Sequence, residues 1–259
     1  MHPILFRIGS VPFYTYTAAI YIGALGALGL MLGQAPKRGL SPQSVLGAYL
    51  WALAGAILAG RIAHVALNWA AYSAQPAAIW RSWGEGLSWP GALLGGLAGL
   101  AAYAARRGER FWALADLGAL GLALALVWGW LGALMHGAGY GRAAYAGWAW
   151  ELPDLHGIVL PRFPTQAVAL AASAGILGAL WAARGRLRPG GSLALFLALH
   201  GLALAALQPT RGDASAAGPA QALYLAEAGA ALVIWFAARV THARRPGLAE
   251  GEYPLSEGS

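Results

Sequence analysis

Residues 113–135 read Ala-Leu-Ala-Asp-Leu-Gly-Ala-Leu-Gly-Leu-Ala-Leu-Ala-Leu-Val-Trp-Gly-Trp-Leu-Gly-Ala-Leu-Met, with Asp116 as the one ionisable side chain. At 1.5 Å of rise per residue an α-helix of this length covers the roughly 30 Å of a bilayer's hydrocarbon core. The run is apolar on every side, so no polar face is left for water, and a helix of that kind sits in lipid or deep inside a bundle. The composition of the whole chain decides between those two. Of 259 residues, 59% are hydrophobic and 10% are charged, against about a quarter charged in a soluble domain. Too few polar groups remain to cover a water-facing surface, and the chain reads as an all-α membrane protein.

Working outward, six more stretches fit the same template, at 13–33, 45–67, 87–104, 165–183, 190–207 and 220–238. The expectation is therefore seven transmembrane helices. The run at 87–104 is interrupted by Gly91, Gly95, Gly96 and Gly99, residues that let helix backbones approach closely in lipid. The first run has neither a basic leader nor a small-residue cleavage site, and reads as a retained helix. Residues 1–245 form the membrane domain in this reading, and 246–259 a flexible cytoplasmic tail. The loop at 137–164 is too long for a simple turn and is expected to fold as a small cap on the outer surface.

The chain carries a formal charge of +7. Eleven of its seventeen basic residues, Lys37, Arg38, Arg106, Arg107, Arg110, Arg184, Arg186, Arg188, Arg239, Arg244 and Arg245, fall in one set of alternate loops. The positive-inside rule puts that set in the cytoplasm, with the N-terminus outside and the C-terminus inside. The basic surplus thus marks topology, and without an aromatic-interleaved basic patch no nucleic-acid partner is expected. With no cysteine in the chain there is no disulfide, thiolate metal site or cysteine nucleophile. No cofactor is expected, and the histidines and carboxylates do not have metal-ligand spacing.

Ionisable groups at membrane depth are costly and are candidates for function. Arg61 and His64, three apart on one helix face, are placed to hold a lipid phosphate, or else Arg61 bonds helix-end carbonyls. Asp116, near the cytoplasmic start of its own span, is expected to favour the N-terminal dipole of that helix. His136, ending the 113–135 run, and His200, in the middle of 190–207, are candidate general bases or hydrogen-bonded packing residues. Glu227 calls for a partner on a neighbouring helix. The glycine-rich run at 137–142 lacks the preceding strand, lysine and hydroxyl of a phosphate loop. No Gly-x-Ser-x-Gly elbow occurs.

The order of these segments resembles the prolipoprotein diacylglyceryl transferases, from Leu5 to about Arg245. Tyr16 lies where the family has a tyrosine in its first span. Ala59-Gly60-Arg61-Ile62 matches its Gly-Gly-Arg-Ile stretch, and Trp83-Gly84-Glu85-Gly86-Leu87-Ser88-Trp89-Pro90-Gly91 its glycine-rich entry to span three. Asp116 matches an aspartate. Gly129-Trp130-Leu131-Gly132 through Gly137-Ala138-Gly139-Tyr140-Gly141-Arg142 is similar to its long signature ending in Trp-Gly-Arg, with Gly132 and Gly141 as structural glycines. Pro161-Arg162-Phe163-Pro164-Thr165-Gln166 and Leu207-Gln208-Pro209-Thr210 complete the series.

That resemblance implies transfer of a diacylglyceryl group from phosphatidylglycerol to the cysteine thiol of a lipoprotein precursor's signal peptide, in the bacterial cytoplasmic (inner) membrane. It also shows departures. Pro90, Trp130, Ala133, His136, Ala138, Phe163, Ala169, His200 and Leu204 stand where the family has polar or charged residues. Two readings follow. One is a transferase with a rearranged site, in which His136, His64 and Tyr16 serve catalysis and Arg61, Arg142, His200, Gln166 and Gln208 bind phospholipid. The other is a catalytically inactive member that binds a lipid or another membrane protein. The oligomeric state is left open.

Overall fold

The computed structural model describes residues 4–9, 11–81, 86–213 and 217–243. The Trp83-Gly84-Glu85 part of the span-three motif and the expected tail at 246–259 lie outside the described residues. The chain is almost entirely helical. Seven long helices occupy the seven expected stretches: α1 (Thr15–Gln34), α2 (Pro42–Leu67), α5 (Trp89–Arg107), α6 (Phe111–His136), α7 (Thr165–Ala183), α8 (Gly191–Leu207) and α9 (Ala217–Ala243). Two short helices, α3 (Trp69–Ala74) and α4 (Ala78–Arg81), follow α2.

Six of these helices are long and apolar enough to cross a membrane. The exception is α5, in which glycines and two terminal arginines lower the hydropathy. Those glycines have another use. A methyl group added at Gly55 would run into the Gly95 carbonyl oxygen, and one at Gly99 into that of Trp51. Backbone therefore lies on backbone along the α2–α5 seam, as small residues permit.

Local sequence sets the helix ends. Ser41 caps α2, its hydroxyl accepting the Ser44 amide at 3.0 Å, with Pro42 in the first turn. Gly108 ends α5 and Gly137 ends α6, both with left-handed φ (67° and 87°), the conformation glycine adopts without strain. The first span begins at Thr15 rather than Phe13, because the residues before it form an antiparallel hairpin of β1 (Ile4–Ile8) and β2 (Val11–Tyr14).

The core runs along α6, where Leu114, Leu117, Leu120 and Ala123 are buried against α1, α7 and α8. Asp116 departs from the expected role. It is not in the first turn of its own helix but serves another's N-terminus. Its carboxylate accepts the Gly190 amide at 2.8 Å and the Leu193 amide at 2.9 Å, satisfying two of the orphan donors at the start of α8. Arg38 lies 3.8 Å from the same carboxylate.

The stretch at 137–164 contains a short antiparallel hairpin. Its strands β3 (Trp150–Pro153) and β4 (Val159–Arg162) pair antiparallel, and the buried Arg162 holds it together. That guanidinium donates to the carbonyls of Leu152 and Gly141, pairs with Asp154 at 3.1 Å, and lies 4.6 Å over the Tyr140 ring.

Candidate functional site

The structure distributes the candidate residues among three groups. The first gathers where α6 ends and the cap begins. His136, in the last turn of α6, stacks on Tyr16 of α1 with ring centroids 5.7 Å apart and meets the edge of Tyr14 at 5.9 Å. Gly132, one turn earlier, lets α1 approach. A Cβ there would lie 2.7 Å from that of Ala19. The Nδ1 of His136 is buried and has no hydrogen-bond partner among the described residues, and the same holds for Oε1 of Gln166. Buried polar atoms are paired in folded proteins as a rule; Nε2 of His200, inside the bundle, is likewise without a partner among the described residues, and the His136 group differs in having two such atoms beside the exposed Tyr16.

The rest of that group is built from backbone. Gln166, fully buried at the start of α7, donates from Nε2 to the Ala138 carbonyl at 3.1 Å. Arg142 is exposed. Its amide bonds the Thr210 carbonyl at 2.8 Å and its Nε the Arg211 carbonyl at 3.2 Å. Gln208 opens the 3-10 turn at Gln208–Thr210 and is buried. Thr165 and Thr210 share a hydroxyl bond of 3.0 Å. Gly141 admits this closeness, since a methyl group there would clash with the Phe163 carbonyl. Outside the spans, the turn beyond Thr210 carries Arg211, whose guanidinium is held above its usual pKa chiefly by its hydrogen bond to Asp213, 2.9 Å away.

The second group surrounds Arg61. The side chain is buried. Its terminal nitrogens donate to the carbonyls of Ile79 at 3.0 Å, Ala78 at 3.3 Å and Gly86 at 3.4 Å, and its guanidinium lies 5.2 Å over the Tyr72 ring. Two of those carbonyls belong to α4, so Arg61 satisfies exposed helix-end acceptors, the structural alternative named for it above. His64, half-buried on the same face, touches the edge of Tyr72 at 6.0 Å.

The third group lies inside the bundle. His200 of α8 is fully buried, and its Nδ1 is 2.7 Å from Oε1 of Glu227 on α9. The other carboxylate oxygen accepts the indole N–H of Trp89 from α5 at 2.9 Å. Trp89, Phe196 and Tyr224 pack around the imidazole, with the Phe196 ring nearly parallel to it at 5.3 Å. Glu227 has the partner on a neighbouring helix that its position called for. Trp89 carried no sequence signal for this role, because an indole in an apolar run reads as packing. Among the described residues no cluster of three or more metal-ligating side chains occurs.

The chain as a whole is similar to known proteins. The family model for prolipoprotein diacylglyceryl transferase matches residues 3–239. A phosphatidylglycerol--prolipoprotein diacylglyceryl transferase from Nitratidesulfovibrio vulgaris is 32% identical over 205 residues, 77% of each chain. The protein of that name from Vibrio vulnificus is 32% identical over 205 residues, 77% of this chain and 74% of the relative. For that from Bacillus licheniformis the figures are 33% over 143 residues, 55% of this chain and 53% of the relative, so that match spans about half the length of either protein.

Proposed function

The chain belongs to the prolipoprotein diacylglyceryl transferase family, and from that premise we propose that it transfers a diacylglyceryl group from phosphatidylglycerol to the cysteine thiol of a lipoprotein precursor, with a rearranged set of polar residues. It does so from a bacterial cytoplasmic membrane, which it crosses seven times with α5 as the third span, the cap outside and the basic loops inside. The observation that carries this reading is the His136 group, in which an imidazole nitrogen and an amide oxygen are buried without partners beside an accessible tyrosine.

The chemistry needs three things: a base for the thiol, cations for the leaving phosphate, and a fixed substrate pose. His136 takes the thiol proton. The thiolate sulfur attacks the glyceryl carbon, the bond from that carbon to the phosphate oxygen breaks, and glycerol phosphate leaves. Arg142, exposed beside the group, meets the phosphate, while Tyr16, Gln166 and Gln208 orient the headgroup. Arg61 and His64 act further along the outer face, where His64 is a second candidate for proton transfer.

A second reading, a catalytically inactive lipid-binding or membrane-protein-interaction subunit, is favoured by the state of His200 and Arg61. One is fully buried and held at Nδ1 by Glu227, and the other is held by backbone carbonyls, so His200 is shut away from a headgroup and Arg61 meets a phosphate only by giving up its present bonds. The two readings part in one experiment. Purified protein is incubated with phosphatidylglycerol and a cysteine-bearing signal peptide beside an active family member. Thioether product supports the transferase. No product while the control turns over leaves the lipid-binding reading.

A further inference from the structure

At the end of the bundle opposite His136, the start of α2 and the end of α5 flank an open groove of about 530 Å³. Its polar wall is made by Gln43 and Ser44 in the first turn of α2 and by Arg107 in the last turn of α5. Glu109 also lines it, its Oε1 accepting the Ser44 hydroxyl. One to two turns deeper the lining becomes apolar, with the exposed Leu50 and Trp51. Tyr103 forms the floor, its ring lying so close over Gly47 that a Cβ there would come within 2.5 Å of it.

Charge at this end is unevenly committed. Arg38 sits by Asp116, and Arg110 donates to the carbonyls of Arg38 and Gly39. Arg106 and Arg107 take part in no ion pair with a carboxylate among the described residues. Arg106 instead lays its guanidinium 4.9 Å over the Trp51 ring, on the same seam. The groove thus runs from Arg107 at the helix end, with Arg106 beside it on the Trp51 ring, to an aromatic and aliphatic flank toward the membrane's middle. That gradient matches a phospholipid, with an anionic headgroup at the interface and an acyl chain alongside the helices.

We propose that this groove holds one anionic phospholipid of the cytoplasmic leaflet, its phosphodiester on Arg107 and Arg106 and an acyl chain along Leu50 and Trp51. The proposal rests on the membrane orientation given above but not on transferase activity. Glu109 narrows the class. One of its oxygens is taken by Ser44, which leaves the other to accept from a hydroxyl of the headgroup, so the occupant is an anionic lipid with a hydroxylated headgroup such as phosphatidylglycerol.

The test uses the full chain in nanodiscs with a phosphatidylglycerol carrying a diazirine on its acyl chain, irradiated and mapped by peptide mass spectrometry. Labelling is expected on the peptide containing Leu50 and Trp51. It should be displaced by unlabelled phosphatidylglycerol but not by phosphatidylcholine or by millimolar inorganic phosphate. Arg107→Gln should weaken it about fivefold and the Arg106→Gln, Arg107→Gln pair more, as expected for surface cations facing an anionic lipid. Arg107→Lys should restore it. Unchanged melting curves would show that the exposed substitutions leave the fold intact. Equal labelling by a phosphatidylcholine probe, indifference to Arg107→Gln, or displacement by inorganic phosphate would each overturn the proposal. Because the readout is lipid occupancy, absence of thioether product in the assay above bears on the transferase alone.

Discussion

His136 and His200 stand in nearly the same sequence setting, each in an apolar helix without a charged neighbour, and in each one ring nitrogen is buried without a partner among the described residues, but the tertiary structure sets a carboxylate on the other nitrogen of His200. His200 is sealed between α5, α8 and α9, and its Nδ1 is held by a carboxylate that is itself held by an indole. His136 ends its helix beside two tyrosines, with Nδ1 left without a partner. A buried polar group that has been satisfied stabilises one arrangement of helices, whereas one left unsatisfied costs free energy unless a substrate or solvent supplies the bond. The difference teaches where to look for chemistry. The pair inside the bundle is fully buried and joined across two helices, and the histidine at the helix end, beside the exposed Tyr16, is the candidate reactive group.

The strongest way to break that contrast is to remove each imidazole and measure both rate and stability. If the protein is a transferase with His136 as its base, His136→Ala should lower thioether formation by about 10²-fold or more, with the stability in detergent changed by less than about 1 kcal/mol. A large loss of stability with full residual rate would reverse the assignments of the two histidines.

Next in size is the buried pair. Glu227→Ala leaves His200 and the Trp89 indole without their acceptor and should destabilise the folded protein by about 2 kcal/mol, between the values typical of single hydrogen bonds in membrane bundles and those of broken buried ion pairs. Replacing both partners, His200→Leu with Glu227→Leu, should recover part of that loss, because the imidazole is gone and only the Trp89 indole is left without its acceptor. Reversible unfolding in mixed micelles gives the coupling energy by double-mutant cycle. Additive single effects would show that the 2.7 Å contact contributes nothing.

The smallest effect concerns the cap. Burial alone would raise the Asp154 pKa, but the amides of Ile158 and His156 and the Arg162 guanidinium together hold it below the usual carboxylate range. The sign follows directly. A depressed folded-state pKa gives stability that is present above the unfolded value of about 3.9 and is lost as pH falls through the folded one. Proteolysis of the 143–161 region should therefore rise below about pH 4, and Asp154→Asn should raise it already at neutral pH and flatten its acid dependence. An unaltered acid profile in the variant would show that another group controls the cap.

Much of the fold is legible in the sequence. Runs of apolar residues placed the seven helices to within a few positions, since length and hydropathy are properties of the segments themselves. The glycines at 91, 95 and 99 announced close packing, which the α2–α5 seam delivers. The ordered motifs placed the chain in its family. Less legible were the residues whose meaning depends on what lies opposite. Glu227 asked for a partner without naming it, Trp89 gave no sign of one, and Asp116 pointed to a helix dipole but to the wrong helix.

The sequence by itself determined that this chain is helical, lipid-facing and built on the transferase scaffold, because hydropathy, helix caps and motif order are local and additive along the chain. Only the tertiary structure decided which histidine is sealed and which ends its helix beside two tyrosines, that Arg61 serves the carbonyls of a short helix, and that a groove lined by Arg107 forms where α2 begins and α5 ends. Those outcomes are set by pairs of groups far apart in the chain. In a medium of low dielectric it is the presence or absence of the partner, not the residue type, that fixes what a polar side chain does.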